Sequence, residues 1–204
     1  MKLMTLDLSG VVGYAYGDPF KPLAPFFGSF KLAGDDATDR CLKLFLWCTE
    51  KLEANGITDV VIELPFIPKG GKTSFGANAS LIGYTVAAGM AAKSNGATCA
   101  GVHQQTWRSQ LKLPNQGPKN VLKLPGYEHF AFNANSTEKK SALQVAKRAF
   151  VKNKTIEFVQ KKGAAPKDDN EADAIAMWYW KQDRLTQRLA EIGTKRDLFD
   201  DLQV

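Results

Sequence analysis

An α/β chain with a five-stranded mixed sheet flanked by helices is predicted, on three observations. Two apolar runs meet at Ser9-Gly10 within residues 3–16, the pattern of a hairpin whose first strand is central in a sheet. A β-branched run, Asp59-Val60-Val61-Ile62-Glu63-Leu64, stops at Pro65 and is followed by a long helical stretch. A further short run over 97–102 leads directly into another helix. With 204 residues, 44% of them hydrophobic, the chain can bury one such core and nothing in it demands a second. Residues 1–204 are therefore read as a single domain.

The first strand, Leu3-Met4-Thr5-Leu6-Asp7-Leu8, carries one lone aspartate. After the hairpin, Gly17-Asp18-Pro19 turns the chain, and the aromatic-rich stretch 25–32 reads as a third strand. Three antiparallel strands then give way to a helix capped by Asp35 or Asp36. Cys41, Leu44, Phe45, Cys48 and Leu52 repeat along one face of it, and Asn55-Gly56 ends it. The fourth strand spans 58–66. The helix over 74–95 carries a small-residue seam, Ala79, Gly83 and Ala87. Glycine inside a helix costs stability, so close approach is expected there, from the sheet or from the same helix of a second subunit. The fifth strand follows at 97–102, and Thr106-Trp107-Arg108 starts a short helix.

Composition narrows the partners. A net charge of +6 favours a polyanion. Cys41, Cys48 and Cys99 form no CxxC pair, and with only His103 and His129 beside them there is no zinc constellation. They read as buried thiols in a reducing compartment. The chain enters a strand at once and has no bilayer-length apolar run, so neither a signal peptide nor a membrane partner is expected. The expected location is cytoplasmic.

Chemistry enters with the acids. Asp7 and Glu63 each stand alone in a buried-looking strand, near its C-terminal end. A single buried acid can be satisfied by backbone donors. Two in one sheet are a sharper signal, because carboxylates about 4 Å apart repel by roughly 4 kcal/mol at an effective dielectric near 20. Such a pair is tolerated when a cation sits between its members or when one is protonated. Oxygen ligands without His or Cys suit Mg²⁺, with Mn²⁺ able to substitute, rather than zinc.

From Leu113 the composition shifts. Pro114, Gly117, Pro118, Pro125 and Gly126 mark an irregular segment, longer than a passive connection, that leads to a basic helix over 136–152. Between Lys119 and Lys167 eleven bases face three acids, a local excess of +8 that exceeds that of the whole chain. Segment 113–167 is accordingly read as a phosphate-backbone surface rather than a solvated helix face.

The last chemistry-bearing stretch is Asp168-Asp169-Asn170-Glu171-Ala172-Asp173-Ala174. Acids in a first helical turn complement the macrodipole, which accounts for Asp168 and Asp169 without any further role. Asp173 lies a turn inside, between two alanines that let its face press against a neighbour. Asp169 and Asn170, at i−4 and i−3, point the same way, and Glu171 points elsewhere. Beyond it, 181–204 reads as a charged helix and tail.

A strand Asp near the N-terminus, a Glu ending the fourth strand before a helix, and a late helix with an Ala-Asp-Ala core together resemble the RuvC family of Holliday-junction resolvases. Thr106-Trp107-Arg108 and the Asp169–Ala174 run are similar to later motifs of its phage-type members. The resemblance covers most of residues 1–180 and implies a ribonuclease-H-like fold, with Asp7, Glu63 and Asp173 as catalytic metal ligands and either Asp169 or Asn170 as the fourth. It places Phe66 where bacterial resolvases carry an aromatic wedge, a position also suited to a core phenylalanine. DNA contacts are expected from Lys69, Lys72, Arg108, Lys112, Lys119, Lys123, Lys139, Lys140 and Lys147, with Lys139 or Lys140 stabilising charge on the scissile phosphate.

The implied activity is metal-dependent endonucleolytic cleavage of branched DNA, four-way junctions with forks and flaps as further substrates, by two-metal hydrolysis leaving 5′-phosphate ends. A homodimer is implied, with the Ala79/Gly83/Ala87 helix near its two-fold axis. Two other classes compete: a non-catalytic branched-DNA-binding accessory protein, and a nucleotide-binding protein of the same fold. The second is disfavoured because Asp7-Leu8-Ser9-Gly10 lacks a Gly-rich continuation.

Overall fold

Period-two alternation in β1 (Leu3–Asp7) sends Met4 and Leu6 to one face of the sheet and Leu3 and Thr5 to the other. β4 (Asp59–Leu64) repeats the device, with Val60 and Ile62 opposite Val61. Strands apolar on both faces must be covered on both faces, and they are. A computed structural model describes residues 1–65, 75–131 and 136–200. β2 (Val11–Gly17), β3 (Phe26–Lys31) and β5 (Thr98–His103) complete a sheet of order β3-β2-β1-β4-β5. The β1/β2 and β2/β3 pairs are antiparallel, and β1/β4 and β4/β5 are parallel. This is the mixed five-stranded sheet that the sequence predicts.

α1 (Ala37–Asn55) and α2 (Phe75–Ser94) cover the Met4/Leu6 face. Of the two candidate caps of α1, Asp36 is the one used: its carboxylate accepts from the Asp39 amide at 2.8 Å. Gly56 closes the helix at φ 60°, a left-handed conformation that favours glycine. The small-residue seam of α2 turns toward α1 of the same chain. A Cβ on Gly83 would meet Cys41 Sγ at 2.9 Å, and Ala87 is buried in the core. Gly83 and Ala87 thus meet the chain's own core, while Ala79 is exposed. The exposed stripe of the helix is Ile82, Val86 and Met90, and α1 exposes Leu42 and Leu46.

The other face is covered by α5 (Asp169–Asp200), whose residues 171–180 are buried without a break. α5 is one continuous helix where the sequence suggests a division at 181; no Gly or Pro interrupts 181–192. α3 (Gln104–Gln110) begins directly after β5. α4 (Ser136–Lys161) extends nine residues past its expected end at 152, because Thr155 and Val159 continue a buried stripe that packs beside α5. The segment before α4 forms two 3₁₀ turns, Val121–Lys123 and Glu128–Ala131. It is strapped to α4 by the Tyr127 ring, 5.8 Å from that of Phe150, and by Asn153 donating to Tyr127 Oη at 2.9 Å. Among the described residues no helix is long and apolar enough to cross a membrane.

Candidate active site

Parallel pairing of β1 with β4 puts Leu6 opposite Ile62, so Asp7, the last residue of β1, and Glu63, the penultimate residue of β4, lie one rung further on. The alternation that points Thr5 and Val61 toward α5 points these two acids the same way. Thr5 Oγ1 donates to the Ala174 carbonyl at 2.7 Å, pinning α5 across the strand at the level of Asp173. Gly13 stands opposite Asp7 on β2, and a Cβ there would collide with the backbone carbonyl of Asn170. The missing side chain lets the first turn of α5 rest directly on the hairpin.

That first turn is held by two side-chain caps. Asp168 Oδ1 accepts from the Glu171 amide at 2.8 Å, and Glu171 Oε2 accepts from the Lys167 amide at 2.7 Å. Asp168 and Glu171 are thereby fixed as structural acids, and Glu171 is fully buried. Asn170 Oδ1 accepts from Ser9 Oγ at 3.3 Å and belongs to the hairpin contact. Asp169 pairs with Lys152 of α4.

Asp7, Glu63, Asp169 and Asp173 share one electrostatic neighbourhood. Burial, then the charges of Glu63, Asp173 and Asp169, hold the Asp7 carboxyl well above the ordinary carboxylate range, with Lys152 pulling the other way. Glu63 is pushed up to about 7, by burial first and then by Asp173. Asp173 is pushed up to about 6 by burial, against the opposing pull of Arg108.

α3 reaches into this cluster with two consecutive side chains. Trp107 Nε1 donates to Glu63 Oε2 at 3.0 Å. Arg108 Nη2 donates to Asp173 Oδ1 at 2.7 Å, its Nη1 donates to Thr155 Oγ1 at 2.8 Å, and its guanidinium lies 4.5 Å from the centre of the Trp107 ring. Arg108 is only 1% exposed; two of its nitrogens are taken up by Asp173 and Thr155, and its side chain forms part of the wall of the cavity that Lys147 and Arg148 line. Among the described residues no three His, Cys, Asp or Glu side chains form a ready-made ion cage. Glu63, Asp173 and Asp169 are instead each drawn to a partner, Trp107, Arg108 and Lys152 respectively. The donor chemistry nonetheless fits a hard divalent ion, with oxygen ligands alone and three of the acids disfavoured as anions in each other's company.

Among the expected basic contacts, Lys112, Lys119, Lys123, Lys139 and Lys140 are exposed. Lys147 lines a cavity of about 570 Å³ with Arg148, Lys152 and Gln144, and Asp173 is part of its wall. A second cavity of about 620 Å³ lies over Glu63 and His103; Gln104 and Asn115 border both. The basic helix thus adjoins the acids. Phe66, Lys69 and Lys72 lie outside the described residues. Thr155 and Gly13 are site residues that sequence reasoning missed, and it named Trp107 only within a motif and Lys152 only within the basic segment. The position of Trp107 in the helix that directly follows the strand pairing with β4 was the available signal; the others depend on tertiary placement.

No protein-family model and no curated protein sequence matches the chain. By architecture, a mixed five-stranded sheet with helices on both faces, the chain has a ribonuclease-H-like fold. Within that class the fold is RuvC-like. A structure of Thermus thermophilus RuvC in complex with Holliday junction substrate matches with a TM-score of 0.55, covering 88% of this chain and 91% of that one at 13% identity. Another T. thermophilus RuvC structure matches with a TM-score of 0.54, covering 88% and 92% at 15% identity.

Proposed function

We propose that the protein is a divalent-ion-dependent nuclease that cleaves branched DNA, four-way junctions among its substrates. The observation that carries this reading is the juxtaposition of four carboxylates, on β1, β4 and the first turns of α5, with a cavity lined by Lys147, Arg148 and Lys152. The RuvC-like fold agrees with it. Asp7, Glu63, Asp169 and Asp173 would hold Mg²⁺ or Mn²⁺, two ions by the family's pattern, and Asn170 is the weaker candidate because its oxygen accepts from Ser9. When bound, the ions supply an activated water and stabilise charge on the leaving oxygen.

The chain's own contribution is positioning. The strands and α5 fix the acids to backbone, Trp107 holds one oxygen of Glu63, and the bases of α4 hold phosphates without reading sequence. A homodimer would bring two such sites to opposite strands of a junction. Its surface on this reading is the exposed stripe of Ile82, Val86 and Met90 on α2 with Leu42 and Leu46 on α1.

The deciding experiment compares wild type with Asp7→Asn on a panel of four-way, forked, flapped and linear DNAs, with and without Mg²⁺. Ion-dependent cleavage of branched DNA by the wild type alone, with junction binding kept by both proteins, is the expected result. Cleavage that survives the substitution, or a wild type that binds junctions and never cuts them, overturns the assignment; the latter outcome marks a non-catalytic junction binder.

A further inference from the structure

Arg108 is enclosed by three helices, and its contacts are unusual for a simple structural ion pair. One nitrogen meets Asp173 at 2.7 Å, another meets Thr155 at 2.8 Å, and its plane lies over Trp107 at 4.5 Å. Its Nε is buried without a partner. A guanidinium placed for stability alone would have every donor satisfied, since an unpaired buried N–H costs free energy. What this one does have is a direct hold on the most buried acid of a four-acid cluster; Asp173 is 7% exposed. Trp107 treats Glu63 alike from the next position in the chain. Each residue engages one oxygen of its acid, and among the described residues no donor reaches the other oxygen.

We propose that Arg108 is the resident counter-cation of Asp173: it holds that carboxylate in place when no divalent ion is bound and competes with the ion for it. The inference rests on the reading of Asp7, Glu63, Asp169 and Asp173 as a divalent-ion site. Its physical basis is that a fixed positive charge and an arriving dication are drawn to the same oxygens and repel each other across a weakly screened interior. Two cations sharing one carboxylate are coupled reciprocally, so whatever weakens the hold of the guanidinium tightens that of the ion. Arg108 is then a positioning residue: it keeps Asp173 from being driven out of the cluster in the ion-free state and keeps the ion exchangeable.

The test is a calorimetric titration of the full-length, metal-stripped protein with Mn²⁺ in the absence of DNA, paired with thermal melts in EDTA and in saturating Mn²⁺. Wild type should bind Mn²⁺ and Asp173→Asn should not; a wild type that binds none removes the ion-site reading itself. With that satisfied, Arg108→Gln should bind Mn²⁺ about tenfold more tightly, and its melting temperature should rise more on ion addition than that of wild type. Arg108→Lys, which restores the charge, should return affinity to within about threefold of wild type. An Arg108→Gln protein that binds Mn²⁺ as wild type does, or more weakly, overturns the proposal and leaves Arg108 a helix-joining ion pair. Should that variant not fold in EDTA, Thr155→Val decides, because it unties the guanidinium without removing its charge. Affinity tightened by about twofold supports competition, and unchanged or weakened affinity overturns it.

Discussion

Asp7 and Glu63 stand on neighbouring parallel strands one rung beyond the Leu6–Ile62 pair, so the sheet's own register sets two carboxylates side by side. Hydrogen bonding along the strands holds them there, and neither can move away without breaking the ladder. Asp7→Asn keeps the shape and removes one charge. In EDTA the variant should be more stable than wild type by about 1 kcal/mol, a rise of roughly 2–4 °C for a chain of this length. Differential scanning calorimetry checks it; a lower melting temperature would mean that Asp7 is a stabilising partner rather than a strained one.

The raised carboxyl groups also set a pH dependence. Glu63 is shifted from 4.5 to about 7 and Asp173 from 3.8 to about 6. The folded protein therefore binds more protons than the unfolded chain across that interval. The contribution of these groups is fully present below their unfolded values and is lost as pH rises through the folded ones. Metal-free stability should accordingly fall between pH 4 and pH 7 on account of this cluster. Glu63→Gln should flatten the upper part of the slope. Urea titrations in EDTA across that range measure it, and a site contribution that grows with pH would contradict the proposed electrostatics.

The strands and their acids were legible in sequence because both rest on local patterns: period-two alternation, a lone charge in an apolar run, a proline stop. The capping of α5 was half legible. Acids crowding a first turn announce a cap, yet only the fold shows that Asp168 and Glu171 are engaged by backbone amides while Asp169 faces Lys152. The partners of Arg108 were hidden for a related reason. No spacing rule connects Arg108 to Thr155 or Asp173, which reach it only when α4 and α5 pack against α3. Gly13 sits in an ordinary-looking strand, and its need for a bare Cα becomes visible only when Asn170, far along the chain, arrives against it.

Gly13→Ala tests that contact directly. The added methyl meets the Asn170 carbonyl, which is backbone and cannot rotate aside, so α5 must lift from the hairpin. The expected cost is about 1–3 kcal/mol, and cleavage should fall with it because Asp169 and Asp173 ride on the same helix. Melting temperature and single-turnover cleavage should decline together; a variant of unchanged stability and activity would show that the helix does not rest on the strand this closely.

Trp107→Phe removes one N–H and keeps most of the ring. Glu63 Oε2 loses its donor inside a buried cluster, and the loss should destabilise the metal-free protein by about 1–3 kcal/mol. On the proposed function the rate of cleavage should drop while junction affinity stays unchanged, since the indole touches the acid and no DNA-facing base. Affinity that falls in step with rate would place Trp107 in the binding surface.

The bases of α4 make the opposite prediction. Lys147 and Arg148 line the cavity that opens at Asp173 without being engaged by any of the four acids. If they neutralise phosphates, each releases bound counterions when DNA docks, and the affinity becomes steeply salt-dependent. Replacing both by Ala should lower the slope of log K against log salt by about 1 for each lost contact. The loss should be equal for junctions of different sequence, because phosphate contacts carry no base information. Cleavage at saturating protein should be largely kept, since the carboxylates are untouched. Fluorescence anisotropy over a range of KCl concentrations reads the slope directly. A double variant with the wild-type slope would move the DNA path away from this cavity, toward the exposed lysines at 112, 119 and 123, while leaving the acid cluster in place.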